Sequence, residues 1–154
     1  MGSSATASLQ LPVRLRGIQL GRPTDLLLDT DDWHALGFVV RCRDDSTRFL
    51  PYAACQPGAD EIAVASSLLL LEDVGFYEKR GVSFRSLLDG EVLGGGVLED
   101  VILGAGGIVE ELEVEHDGER RRIPAAGAVI RPTRPLPRRS AALGGARPRP
   151  QSRP

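Results

Sequence analysis

The feature that most constrains this chain is a pattern that occurs twice. Asp25 leads into Leu26-Leu27-Leu28, and Asp100 leads into Val101-Ile102-Leu103. Each run is followed by a polar or glycine loop, a strand-like stretch, a turn and an apolar-Pro ending, Leu50-Pro51 in the first half and Ile123-Pro124 in the second. Asp25 to Pro51 is 26 positions and Asp100 to Pro124 is 24, the extra length falling in the Trp33-His34 loop. Leu20-Gly21 and Leu93-Gly94 stand upstream of the two aspartates. A pattern that keeps its spacing along one chain is the mark of a duplicated unit.

Each unit reads as short strands. Val13, Leu15 and Gly17 alternate with Arg14, Arg16 and Ile18, and Phe38, Val40 and Cys42 alternate with Val39, Arg41 and Arg43, the period of two that half-buried strands need. Asp44-Asp45-Ser46 turns the chain into Thr47–Leu50, which Pro51 ends because proline donates nothing to a ladder. A turn at Pro57-Gly58 precedes a short strand at Ile62–Ala65. In the second half Leu112 and Val114 alternate with Glu111, Glu113 and Glu115, and Asp117-Gly118 predicts a type I′ hairpin turn. Arg120 and Arg122 return beside those glutamates, a wet sheet face of opposite charges. Between the halves, Ser67 and four leucines suit a helical turn or a last strand, and Val74–Lys79 suits a short helix stopped by Gly81.

These residues resemble the PRC-barrel family, a small six-stranded β-barrel marked by glycine, a following aspartate with an apolar strand, a loop, a hairpin and an apolar-Pro ending. The second half carries the fuller match, Leu87-Leu88-Asp89-Gly90-Glu91-Val92 and Gly96–Leu103 followed by Ile123-Pro124; the first carries Gly21, Asp25 with Leu26–Leu28, and Leu50-Pro51. The resemblance spans about three quarters of the chain and implies a non-catalytic module that acts by binding. Characterised members include the cytoplasmic domain of photosynthetic reaction-centre H subunits and a ribosome-maturation factor. The expected fold is all-β, two small antiparallel PRC-barrel-like β-barrels with a short helical connector and disordered termini. The expected division is a disordered leader at 1–10, repeats at 11–65 and 83–131, a connector at 66–82, and a disordered Arg/Pro-rich tail at 132–154.

Charge is segregated along the chain. Residues 1–130 hold 12 basic and 21 acidic side chains, a net of −9, whereas 131–154 hold seven arginines and no acid. The tail has no apolar periodicity with which to bury a core. Arg134, Arg138, Arg139, Arg147 and Arg149 are candidates for contact with nucleic acid or another acidic surface. With no aromatic among them they do not suggest base stacking, and a solvated tail, or one folded back on the acidic body, accounts for them as well. The Ser/Ala-rich Met1–Gln10 does not read as a signal peptide, the longest apolar run, Leu68–Leu71, is far short of the about 20 residues a span needs, and two cysteines without a disulfide pattern suit a reducing compartment. The expected location is the cytoplasm.

No catalytic constellation is legible. His34 and His116, the only histidines, lack a converging nucleophile and acid. Asp29, Asp31, Asp32 and His34 offer oxygen and nitrogen donors, but a calcium loop also needs a turn glycine and a distal glutamate, so they read as a solvated loop. Gly94–Gly96 and Gly104–Gly107 lie between strands, where glycines make tight turns and not phosphate cradles. Cys42 and Cys55, without a CxxC pair, read as buried small hydrophobes. Catalytic, metal and cofactor sites are expected to be absent. Trp33 reads equally as a partner-binding anchor or as a plug closing its own barrel. The function expected is a cytoplasmic protein-interaction or adaptor module with a protein partner; the alternative is an RNA- or ribosome-associated factor using the basic tail.

Overall fold

A computed structural model describes residues 2–131 of the chain. It is mostly β, as the strand periodicities predict. The first half builds one sheet from β2 (Val13–Leu15), β3 (Ile18–Asp29), β4 (His34–Cys42), β5 (Thr47–Pro51), β6 (Cys55–Pro57) and β7 (Ile62–Val64). The second half builds another from β9 (Glu91–Val92), β10 (Gly96–Leu103), β11 (Val109–His116), β12 (Glu119–Pro124) and β13 (Ile130–Arg131). Hydrogen-bonded paths run β5-β4-β3-β2-β7-β6 and β12-β11-β10-β9-β13. All pairs are antiparallel except β2 with β7.

The two sheets share one register. Asp25 pairs with Val39 and Asp100 with Glu113, each directly after a bulge. Leu50 faces Phe38 and Pro51 faces Gly37, as Ile123 faces Leu112 and Pro124 faces Glu111. The bulges re-aim both aspartates by one residue. Asp117 and Gly118 both have positive φ, the type I′ geometry expected of them. Arg16 and Gly17 make the same turn between β2 and β3, splitting a stretch whose alternation reads as continuous.

The apolar runs are explained by burial on both faces. Leu26 and Leu28 join the main core, which includes Phe38, Leu50, Phe84, Leu98, Leu112 and Val114 and spans both halves. Leu27, between them, faces a second cluster with Val39 and Phe49. That face is roofed by the connector, α2 (Val74–Glu78), whose neighbour Leu71 bridges β5 and whose Tyr77 stacks on Phe49 at 4.0 Å. A sheet covered on both faces needs an unbroken apolar strand.

Residues 1–10 depart from expectation. Instead of a disordered leader, β1 (Ser3–Ser4) pairs with β10 of the second half and leads into α1 (Ala5–Ser8). Ala5 is fully buried and Leu9 is 6 % exposed. The same device recurs in reverse, where β8 (Val82–Ser83) pairs with β3 of the first half and leads into α3 (Phe84–Leu87). The opening segment of each half therefore docks on the other half. Ser4 and Ser83 cap their helices, accepting from Ala7 N–H at 3.1 Å and Ser86 N–H at 3.2 Å. Both hydroxyls donate to the re-aimed aspartate of the opposite sheet, Ser4 to Asp100 and Ser83 to Asp25. Backbone N–H groups of Thr6 and Arg85 donate to the same carboxylates, each at 3.1 Å. Helices this short gain little on their own; the apolar contacts and the carboxylate hold them.

Candidate functional site

The seam between the halves creates a groove. One wall comes from the first half (Tyr52, Cys55, Gln56 and Pro57) and the other from Ser3, Leu103 and Gly104–Gly106, enclosing about 660 Å³. Tyr52 is positioned by stacking on Phe38 at 5.8 Å, and its ring packs on Gly107. A β-carbon at Gly107 would come within 2.8 Å of that ring, and φ there is +85°, so glycine is required on both counts. Loss of solvation, aided by nearby Cys55, raises the Tyr52 pKa, which keeps the hydroxyl a neutral donor and acceptor.

The β6 edge beside this groove has a defined polarity. Gly58 N–H donates to Glu61 C=O, which makes Gln56–Ala63 the next hydrogen-bonded pair and turns the Cys55 and Pro57 carbonyls away from β7. Cys55 N–H is taken by Tyr52 C=O and Pro57 has none. Among the described residues the edge therefore offers acceptors without donors, which disfavours open-ended strand addition and suits donor-bearing side chains.

The residues singled out from sequence are dispersed. Trp33, with φ of +53°, is 4 % exposed and part of the main core, and its carbonyl accepts from Val109 N–H at 2.8 Å. It plugs the seam between halves instead of presenting its indole to solvent. It also lines a second groove of about 340 Å³ with Thr30, Asp31, Val82, Leu87 and Ile130. Arg134, Arg138, Arg139, Arg147 and Arg149 lie outside the described residues.

Asp29, Asp32 and His34 do converge, their ligand atoms within 4.8 Å of one another, without Asp31. The loop already satisfies itself: His34 Nδ1 lies 2.7 Å from Asp32 Oδ1, and Asp29 Oδ1 accepts from Asp31 N–H at 2.9 Å. His34 bridges Ile108, and His116 stands eight residues farther along that strand, roughly 26 Å away at strand rise. The two histidines cannot serve one reaction centre. Cys42 and Cys55 are buried and free, and burial pushes the Cys55 thiol up to about 12. Glu111 and Glu113 are paired with Arg120 and Arg122, as the sequence predicts for that wet face; Glu115 instead accepts from Gly118 N–H at 2.6 Å, and Glu99 of β10 is a further partner of Arg120.

No protein-family model matches the chain, and no curated protein matches it. Among the described residues no helix is long and apolar enough to cross a membrane.

Proposed function

We propose that this chain is a non-catalytic, cytoplasmic protein-interaction module of the PRC-barrel type, and that the seam groove between Tyr52 and Gly104–Gly106 receives the partner. The groove carries this reading: it is concave, mixed in polarity, built jointly by both halves, and bordered by a strand edge whose Cys55 and Pro57 carbonyls point away from β7 and find no partner among the described residues. Its matching partner is a protein segment with donor side chains, arginine, lysine or asparagine, flanked by apolar residues that fit beside Tyr52 and Leu103. The sequence resemblance to a family of binding modules supports the same conclusion.

The test uses two exposed lining positions, Ala53 and Ala105. Ala53→Arg and Ala105→Arg each add bulk and positive charge without touching the core. A partner captured by the full chain should be lost in both variants and kept by Ser67→Arg, which lies elsewhere. Equal capture by all three defeats the groove as the site.

The charge segregation favours a second reading, binding of nucleic acid by the arginines beyond Arg131. Such binding should weaken steeply with salt and disappear on removal of residues 132–154; binding retained without them rules it out.

A further inference from the structure

The repeated register lets the edge of one sheet show what the matching edge of the other can hold. In the first sheet β5 ends the hydrogen-bonded path, and Leu71 of the connector pairs with it: Phe49 and Leu71 exchange both backbone hydrogen bonds, each at 2.8 Å. The pairing is antiparallel, so Leu70 stands opposite Leu50 and Glu72 opposite Arg48. Leu70 is 7 % exposed, and Glu72 accepts from the Arg48 guanidinium at 3.3 Å. That edge is filled by an apolar residue, a middle residue and an acid. In the second sheet β12 ends the path. Leu50 faces Phe38 as Ile123 faces Leu112, which makes Arg121-Arg122-Ile123 the counterpart of Arg48-Phe49-Leu50. The two-residue turn at Asp117-Gly118 makes His116 and Glu119 a hydrogen-bonded pair. By alternation Arg121 and Ile123 bond to β11, and Arg120 and Arg122 turn their backbone N–H and C=O outward. Among the described residues nothing pairs with those outward groups. Arg121 is exposed and in no ion pair among the described residues, although its counterpart Arg48 has Glu72. Ile123 is half-buried.

We propose that the β12 edge takes an extended segment of a partner protein by antiparallel strand addition, with an apolar residue opposite Ile123, a polar residue opposite Arg122 and an acid opposite Arg121. The middle position differs from Leu71 because Arg122 stands with Glu111 and Glu113, whereas Phe49 stands with Leu27 and Val39. Charge selects the occupant. A second copy pairing its own β12 about Arg121 or Arg122 would set arginine opposite arginine, which destabilises. Residues 132–154 hold no acid and cannot fill the third position. Three arginines and Pro124 deter indiscriminate pairing, which narrows the edge to strands that carry an acid. None of these residues lines the seam groove, so this is a separate surface.

The probe is a fluorescein-labelled peptide copying residues 66–73 with Leu68→Thr and Leu71→Thr, titrated with the full-length chain and read by fluorescence anisotropy. Arg121→Glu should weaken binding about fivefold. A second peptide that also carries Glu72→Lys should invert that order, binding the Arg121→Glu chain better than the unaltered one. Arg122→Pro deletes an N–H that β11 does not use and should weaken binding at least about tenfold. Arg122→Ala keeps that N–H and should bind within about twofold of the unaltered chain. The charge swap decides the matter by itself should circular dichroism show that Arg122→Pro disturbs the sheet. Equal binding by all four proteins, or none with peptide at about 1 mM, overturns the proposal. Weakening by Arg121→Glu without weakening by Arg122→Pro overturns it too, since charge attraction then acts without a strand. So does a dimer, seen by sedimentation, that Arg122→Pro dissolves, because the edge then belongs to a second copy.

Discussion

Asp100 is the most exacting place to test how the halves are joined. It is 7 % exposed, and its carboxylate accepts from the Ser4 hydroxyl, Thr6 N–H and hydroxyl at 3.1 Å, and Val101 N–H at 2.8 Å. Asp100→Ala strips these donors of a partner in a site water reaches poorly. Hydrogen bonds to charged groups contribute about 1.5–3 kcal/mol each and do not add fully. The expected loss is about 3–4 kcal/mol, a large part of the 5–15 kcal/mol typical of a small protein. Asp100→Asn keeps an acceptor for Thr6 and Val101, and the Ser4 hydroxyl can rotate to accept from the new amide, so it should cost only about 1 kcal/mol. Urea unfolding followed by circular dichroism gives the free energies. Hydrogen exchange locates the loss: the Leu9 amide, bonded to Ala5 C=O, should speed up more than amides of β11. A loss under about 0.5 kcal/mol for Asp100→Ala, or equal losses for Ala and Asn, would refute the reasoning.

Gly96→Ala should destabilise by about 2 kcal/mol in thermal or urea melts, since φ is +114° and the new carbon would sit 2.4 Å from the Glu115 carbonyl oxygen. The Cys55 thiol stays protonated in the fold up to about pH 12 but ionises near 9.0 when unfolded. Stability should therefore fall as pH rises through that window, because only the unfolded chain sheds the proton, and Cys55→Ala should flatten the decline. Arg120→Ala removes an exposed residue paired with Glu99 and Glu113 and should leave the melting temperature almost unchanged, with any small loss vanishing at high salt, as measured by paired melts.

The strands with a strong local signal are legible in the amino-acid sequence. Asp117-Gly118, Leu50-Pro51 and Ile123-Pro124 stand where turn chemistry and proline place them. The Arg16-Gly17 turn is hidden because arginine is uncommon at positive φ and Gly17, set inside an apparently alternating stretch, reads as one more strand position. Ser3–Leu9 is hidden for a different reason. Its serines and alanines have no apolar periodicity, and what orders them is a carboxylate nearly a hundred residues away. The capping pattern of a serine three residues ahead of a helical amide is present at both Ser4 and Ser83, but only the fold shows that each acts on the other half. The seam groove is equally invisible in one dimension. Tyr52, Cys55 and Gly104–Gly106 acquire meaning only when the halves meet, whereas Trp33 stands out in sequence and is a core plug in the fold.

The most direct test of the binding role is amide hydrogen exchange on the full chain, alone and with a captured protein partner. Slowed exchange concentrated at residues 3, 52–56 and 103–106 is the expected footprint. Protection spread elsewhere, with those amides unchanged, would contradict the assignment of the seam between the two sheets as the place where this protein meets its partner.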